Sequence, residues 1–204
     1  MAYWIIFSVV QFAAVAMMVR EGLWSNTLTL VNILISGIAA FAFYPPLVVY
    51  LDESVTDGQH TYWLDFAVLW ALFCVAMVIC RSLTAAFSKT RMRFKYPIDD
   101  VGGPLVGFIA AWMLASFTMA TFHAAPLPKD IFGEKLTYAS VDSVSGFSQP
   151  DATWLKFFQT VSDASAFGSD STGRFTANGF VKIYDDRRGK FDKAPSLIVK
   201  RGGS

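Results

Sequence analysis

The sequence has few of the residues that build metal sites and disulfides. Its 204 residues include two cysteines, Cys74 and Cys80, and two histidines, His60 and His123. Both cysteines lie inside an apolar run without a neighbouring cysteine or histidine cluster, so we interpret them as small buried side chains. No H-E-x-x-H, G-x-S-x-G or phosphate-loop pattern occurs. We therefore expect a protein that is not an enzyme and that binds no metal and no cofactor.

Charge is also scarce, and its two signs nearly cancel. Asp, Glu, Lys and Arg make up 16% of the chain, and the formal net charge is +1. Such a chain has no overall field that attracts nucleic acid, and its one basic run is short, so we expect no nucleic-acid partner. Basic residues are also absent before the first apolar run, where a cleavable signal peptide carries them. We interpret that run as a retained membrane segment.

Long apolar runs dominate the first 125 residues. A helix needs about 20 apolar residues to cross a bilayer core, and only helices fit because lipid offers no partner to an open strand edge. The sequence predicts an all-α membrane fold, a four-transmembrane-helix bundle over residues 1–125, followed by a C-terminal tail over residues 126–204. Pro45 and Pro46 lack amide protons, so we expect them to kink the second helix or end it early. The predicted spans cover about residues 3–19, 26–51, 62–80 and 101–124.

The predicted loops differ in their basic residues, and this difference predicts the orientation. The loop after the second span, DESVTDGQH, has no lysine or arginine, and the loop after the first has only Arg20. Basic loops stay in the cytoplasm, beside anionic lipid headgroups, so we interpret the basic residues after the third span as topology anchors. Four spans then place both termini outside the cytoplasm. The anchors are Arg81, Lys89, Arg91, Arg93 and Lys95.

Small residues recur every four positions along the fourth span. Because the hydrophobic effect does not hold helices together in lipid, close backbone contact must do so. We expect this stripe to pack against the second or the first helix. Asp99 and Asp100 precede the stripe, where carboxylates cap free helix amides. The stripe consists of Gly103, Gly107, Ala111 and Ala115.

Two ionisable residues lie near the same end of the predicted bundle. Asp65 lies just inside the third span, and His123 ends the fourth. A carboxylate in lipid is costly and is a functional candidate, and an Asp65–His123 pair could titrate or carry protons. The alternative is that Asp65 reaches water one turn away, aided by Tyr62 and Trp63 at the interface. The sequence leaves both interpretations open.

The tail is polar, and we predict a small mixed α/β fold for it. The Asn178-Gly179 pair before FVKIY predicts a β-hairpin, and SLIVK near the C-terminus predicts one more strand. About eighty residues with few apolar side chains fold alone only marginally, so we expect the tail to pack on the membrane helices or on a membrane or periplasmic protein. A short amphipathic helix is predicted over residues 151–165 because apolar side chains recur there at helical spacing: Trp154, Phe157, Phe158 and Val161.

These features together resemble a known family. Four spans, a basic third loop with Arg81, and Asp100 followed by Gly103 and Gly107 are similar to the colicin V production protein (CvpA) family of bacterial inner-membrane proteins. The resemblance covers about residues 1–125. The tail segment GRFTANGFVKIYDDRRGKF resembles the extension of CvpA-like proteins in planctomycete-type bacteria.

The resemblance implies a non-enzymatic, multi-pass protein of the bacterial inner membrane, tied to toxin production or export and to envelope maintenance. We expect a scaffold or accessory role in toxin (bacteriocin) production, in export, or in envelope maintenance. Two alternatives stay open. One is a small channel or proton-coupled transport subunit that uses Asp65 and His123, and the other is an accessory subunit of a larger membrane complex. Self-association into a homo-oligomer also stays open.

Overall fold

The computed structural model describes most of the apolar region and much of the tail. In the described ranges the chain is helical and contains no strand. The helices are α1 (Ala2–Met18), α2 (Leu23–Ser54), α3 (Thr61–Phe87), α4 (Ile98–Thr121), α5 (Pro150–Asp163) and α6 (Ala177–Phe191), with a 3₁₀ turn at Val141–Ser143. The described residues are 2–54, 61–88, 98–127, 132, 136, 141–145, 148–163 and 175–191.

Three helices, rather than the predicted four, are long and apolar enough to cross a membrane. They are α2, α3 from Trp63 onward, and α4. The helix α1 is also apolar, but it has only 17 residues. At 1.5 Å per residue it reaches about 26 Å, which is short of the roughly 30 Å of a hydrocarbon core. The prediction of four full-length spans is therefore wrong for the first helix.

Pro45 and Pro46 do not end α2, which was one of the two outcomes expected for them, since the helix continues to Ser54. The prolines remove only two amide donors, and the helix on both sides of them keeps its own hydrogen bonds. The predicted end of the third helix is wrong. The third helix ends at Phe87 rather than near residue 80, so Arg81 lies inside α3 instead of closing it.

Specific contacts fix the order of the helices at one end of the bundle. The amide of Leu23 in α2 donates to Oδ1 of Asp99 in α4 at 2.8 Å. The indole of Trp24 donates to Oγ of Ser88, at the end of α3, at 2.9 Å. The starts of α2 and α4 and the end of α3 therefore lie together. We call this the basic-loop end, because the basic segment 89–97 connects α3 to α4 here.

At the opposite end, which we call the tail end, the start of α1 meets the end of α4. Tyr3 and Met119 belong to one buried cluster, whereas Met18 and Ala110 belong to another nearer the basic-loop end. The helix α1 therefore runs antiparallel to α4 and lies beside most of its length.

The tail helices contribute to the interior of the bundle. One apolar cluster joins residues of α2, α3, α4, α5 and α6. Trp154 of α5 is fully buried, and its ring centroid lies 6.0 Å from that of Phe41 and 5.2 Å from that of Phe117. Gly37 makes room for it, since a Cβ added there would lie 2.3 Å from Cη2 of Trp154.

The predicted mixed α/β tail is wrong, although its helical part is right. The amphipathic helix predicted over residues 151–165 is α5. The predicted hairpin is instead α6, with Asn178-Gly179 in its first turn. Phe180 and Tyr184 are buried on one face of α6, so packing of a helical face overrode the local turn preference of Asn-Gly. The strand predicted in SLIVK lies outside the described residues.

Candidate functional site

Buried polar side chains from the membrane helices and from the tail meet at the tail end. We call this group the tail-end network. It has two halves, one centred on the carboxylate of Asp151 and the other on that of Asp65. Its members are Tyr3, Asp65, His123, Asp151, Tyr184 and Arg187.

The first half joins α1 and the end of α4 to α5. The hydroxyl of Tyr3 donates to Oδ1 of Asp151 at 2.5 Å, and Nε2 of His123 lies 2.7 Å from Oδ2 of the same carboxylate. The side chains of His123 and Asp151 are fully shielded from solvent. Asp151 lies in the first turn of α5, where the positive end of the helix dipole stabilises a carboxylate.

The second half joins α3 to α6. The hydroxyl of Tyr184 donates to Oδ2 of Asp65 at 2.9 Å, and the guanidinium of Arg187 forms an ion pair with the same oxygen. The guanidinium carbon of Arg187 also lies 5.0 Å from the ring centroid of Tyr184, a cation–π arrangement. Asp65 therefore has a cation and a hydroxyl donor in a place where an isolated carboxylate would be costly.

The electrostatics on α6 agree with this pairing. Burial alone would lower the pKa of Arg187, but the charge of Asp65 and the neighbouring Tyr184 raise that pKa above its ordinary value. Burial is the main cause that raises the pKa of Tyr184 well above its ordinary value. At neutral pH Arg187 is therefore charged and Tyr184 keeps the proton that it donates to Asp65.

The structure brings Asp65 and His123 to the same end but does not pair them with each other. Asp65 pairs with Arg187, and His123 pairs with Asp151. Asp65 also does not reach water, since only 2% of its surface is exposed. Sequence reasoning missed the tail partners because they lie more than 25 residues away along the chain.

The small-residue stripe lies where α4 meets α1 and α2. A Cβ on Gly103 would lie 3.0 Å from the carbonyl oxygen of Glu21, and one on Gly107 would lie 2.9 Å from Nδ2 of Asn26. Ala111 and Ala115 are fully buried, the first in the cluster with Ala14 and Ile33 and the second in the cluster with Tyr3 and Phe7.

Asn26 is a structural residue that the sequence interpretation missed. It is fully buried, and its Nδ2 donates to the carbonyl of Met18 at 3.0 Å and to that of Gly103 at 2.8 Å. One amide thus ties α1, α2 and α4 together. The sequence did carry a signal for this contact, namely an asparagine in the first turn of an apolar helix. Because a glycine leaves the backbone carbonyl of its helix accessible, such an asparagine can donate to a glycine-containing helix packed against it.

The predicted topology anchors divide into two groups. Arg81 lines a cleft between α2 and α3 near the basic-loop end. The anchors Lys89, Arg91, Arg93 and Lys95 lie outside the described residues. Asp99, expected to cap its own helix, accepts from the amide of Leu23 and so caps α2.

Space near the tail-end network is small. The cleft lined by His123, Tyr184 and Arg187 has room for about one water molecule. Over the described ranges, no group of three or more His, Cys, Asp or Glu residues is placed to hold a metal ion. The described part of the network is thus an arrangement that joins helices, and the cleft beside it is too small for a small-molecule substrate.

Residues 4–145 match the family model described as Colicin V production protein. The chain belongs to this family. As a member of the colicin V production family with three helices suited to span a bilayer, it is a multi-pass membrane protein. No curated protein and no solved structure matches the chain. The family match includes Asp65 and His123 but ends before α5, so their partners Asp151, Tyr184 and Arg187 come from beyond the matched region.

Proposed function

We propose that this protein is a non-enzymatic scaffold or accessory protein of the bacterial inner membrane that serves toxin (bacteriocin) production or export, or envelope maintenance. Membership of the colicin V production family supports the process. The tail-end network supports the scaffold role, because side chains of the tail helices pair with Asp65 and His123 of the membrane helices and cover them. Bundle and tail then act as one packed unit that presents the tail to a partner.

The proposed orientation places the basic-loop end in the cytoplasm and the tail outside it. Within residues 1–125, all lysines and arginines except Arg20 are Arg81 and those of segment 89–95, and short basic loops remain cytoplasmic.

The surroundings of Asp65 favour a scaffold over a proton-conducting subunit. A carboxylate that relays protons needs access to water, whereas only 2% of the surface of Asp65 is exposed. Arg187 and Tyr184 both contact its Oδ2 and cover it. Several hydroxyls along the described spans bond to their own helices, as Thr118 does to the carbonyl of Leu114 at 2.9 Å.

The outward face of α6 is the proposed contact surface for a membrane or periplasmic protein. Ile183 is 54% exposed there, between the exposed polar residues Lys182 and Asp186. An apolar centre with a charged rim is the arrangement found at protein interfaces, and Ile183 with its charged neighbours would form part of such an interface.

Site-specific photo-crosslinking in cells tests the scaffold proposal. A photoreactive phenylalanine replaces Ile183 in one variant and Phe12, which is 72% exposed on α1, in a control. We expect a discrete protein adduct from position 183 and lipid adducts from position 12. A single adduct indicates one partner, several co-purifying adducts indicate a larger complex, and an adduct of doubled mass indicates a homo-oligomer. Lipid adducts alone from position 183 would exclude the proposed contact surface.

Proton flux tests the alternative of a channel or proton-coupled subunit. The purified protein and its Asp65→Asn variant are placed in vesicles that carry a pH gradient and a pH-sensitive dye. We expect both preparations to dissipate the gradient no faster than protein-free vesicles. A flux that requires the Asp65 carboxylate would overturn the scaffold assignment in favour of the alternative.

A further inference from the structure

A cleft of about 300 Å³ lies between α2 and α3 near the basic-loop end. The polar side chains of Ser25, Asn32, Arg81 and Ser88 line it, together with the apolar side chains of Leu28 and Met77. At its deep end, Nδ2 of Asn32 donates to Oγ1 of Thr84 at 3.1 Å. The cleft therefore has polar side chains along its length, and Leu28 and Met77 form apolar parts of its wall.

Arg81 gives the cleft its positive charge. It is the one cation among the described residues that line the cleft, and these include no carboxylate. It lies seven positions before Ser88 in the chain, about 10 Å inside the end of α3 by helix rise. Within the described ranges, no Asp or Glu forms an ion pair with Arg81. A guanidinium at this depth stabilises an anion that enters the cleft.

Two further groups favour an anion in the same place. Oγ of Ser88 accepts the indole proton of Trp24 at 2.9 Å, so its own hydroxyl proton points elsewhere and can be donated. The hydroxyl of Ser25, in the first turn of α2, lines the same cleft. The guanidinium and the two hydroxyls together form a donor set that suits a phosphate group.

We propose that this cleft binds the phosphate of an anionic phospholipid. A free phosphate would use the polar donors alone, whereas Leu28 and Met77 place apolar surface beside those donors, which suits the start of an acyl chain. The neighbouring outer face of α2 is also apolar and exposed at Val31 and Ile35. Basic clefts between membrane helices are known to hold anionic headgroups.

Lipid titration of the full-length protein in detergent, read by native mass spectrometry, tests the proposal. Phosphatidylglycerol is the anionic probe, and phosphatidylcholine is the neutral control. Arg81→Gln removes the cation, and Arg20→Gln is a matched control because Arg20 is exposed at the same end and does not line the cleft. We expect Arg81→Gln to weaken phosphatidylglycerol binding about tenfold, as loss of one charge-assisted contact does, and Arg20→Gln to change it less than twofold.

Two additional variants keep the test decisive if Arg81→Gln does not fold. Arg81→Lys retains the charge and is expected to keep most of the binding. Ser25→Leu fills the cleft at constant charge and is expected to weaken binding as Arg81→Gln does. Equal binding of the two lipids, or equal losses in Arg81→Gln and Arg20→Gln, would overturn the site. Displacement of bound phosphatidylglycerol by excess sodium phosphate would overturn the assignment to a lipid.

Discussion

The contact between Gly37 of α2 and Trp154 of the tail allows a direct test of how the tail packs into the bundle, because a single added Cβ at position 37 would disturb it. A Cβ at position 37 would lie 2.3 Å from Cη2 and 2.4 Å from Cζ2 of Trp154. Those atoms form the tip of a rigid, fully buried ring, which Phe117 and Phe41 hold in place. The ring cannot move aside as an exposed lysine would, so Gly37→Ala is expected to overpack the site.

The expected magnitude follows from two opposing effects. Overpacking costs about 1–3 kcal/mol, and replacing a helical glycine with alanine returns up to about 1 kcal/mol. We expect a net loss of about 1–2 kcal/mol. Trp154→Phe removes the ring tip and leaves a cavity, but it also removes the indole N–H, which has no acceptor in the described part of the chain. The double variant should therefore lose less than the sum of the single variants, by about 1 kcal/mol.

Thermal unfolding of the detergent-solubilised chain measures these losses. At about 2–4 °C per kcal/mol for a chain of this size, Gly37→Ala should lower Tm by about 2–8 °C. Gly102→Ala is a matched control in α4, because its Cβ would meet only the flexible side chain of Leu23 at 3.2 Å, and it should leave Tm nearly unchanged. An unchanged Tm in Gly37→Ala, or strictly additive losses in the double variant, would show that the tail does not insert its tryptophan here.

Three more predictions follow from the contacts at the two ends. Gly107→Leu places a side chain against Asn26, so it should lower the free energy of unfolding by at least ~2 kcal/mol and reduce the folded yield in detergent. The control Leu105→Ala, at an exposed position, should change the free energy of unfolding by less than about 0.5 kcal/mol. Equal yields of the two variants would exclude tight packing of the stripe. Asp65→Asn leaves the partly exposed Arg187 without its anion, so we expect the free energy of unfolding to fall by about 1–3 kcal/mol and α6 to be cleaved faster by proteases. Adding Arg187→Gln should partly reverse both effects. Unchanged proteolysis of Asp65→Asn would contradict the ion pair. Burial raises the pKa of Tyr184 well above its usual value, so the contribution of Tyr184 to folding stability should be full below about pH 10 and fall above it. Tyr184→Phe should therefore flatten the dependence of Tm on pH between about pH 9 and pH 11. The same dependence in both proteins would show that the hydroxyl of Tyr184 is not buried.

Patterns among neighbouring residues, such as apolar runs and the spacing of small residues, predicted the positions of the membrane helices. The apolar runs predicted α2, α3 and α4 to within a few residues, except at the end of α3. The four-residue spacing of Gly103 and Gly107 pointed to a close helix contact. Turn preference was a poorer guide, since Asn178-Gly179 lies inside α6. A short turn signal is weak when the residues after it can bury a helical face against an existing core.

The sequence by itself determined that the membrane region contains long apolar helices and that Asp65 and His123 lie near one end of them, because hydrophobic length and charge placement are properties of the chain alone. Only the tertiary structure decided which groups meet. Asp65 pairs with Arg187, and His123 pairs with Asp151, across separations in sequence for which no local pattern exists. The physical reason is that a buried charge selects its partner by proximity in the folded protein, and packing such as that of Trp154 on Gly37 creates that proximity.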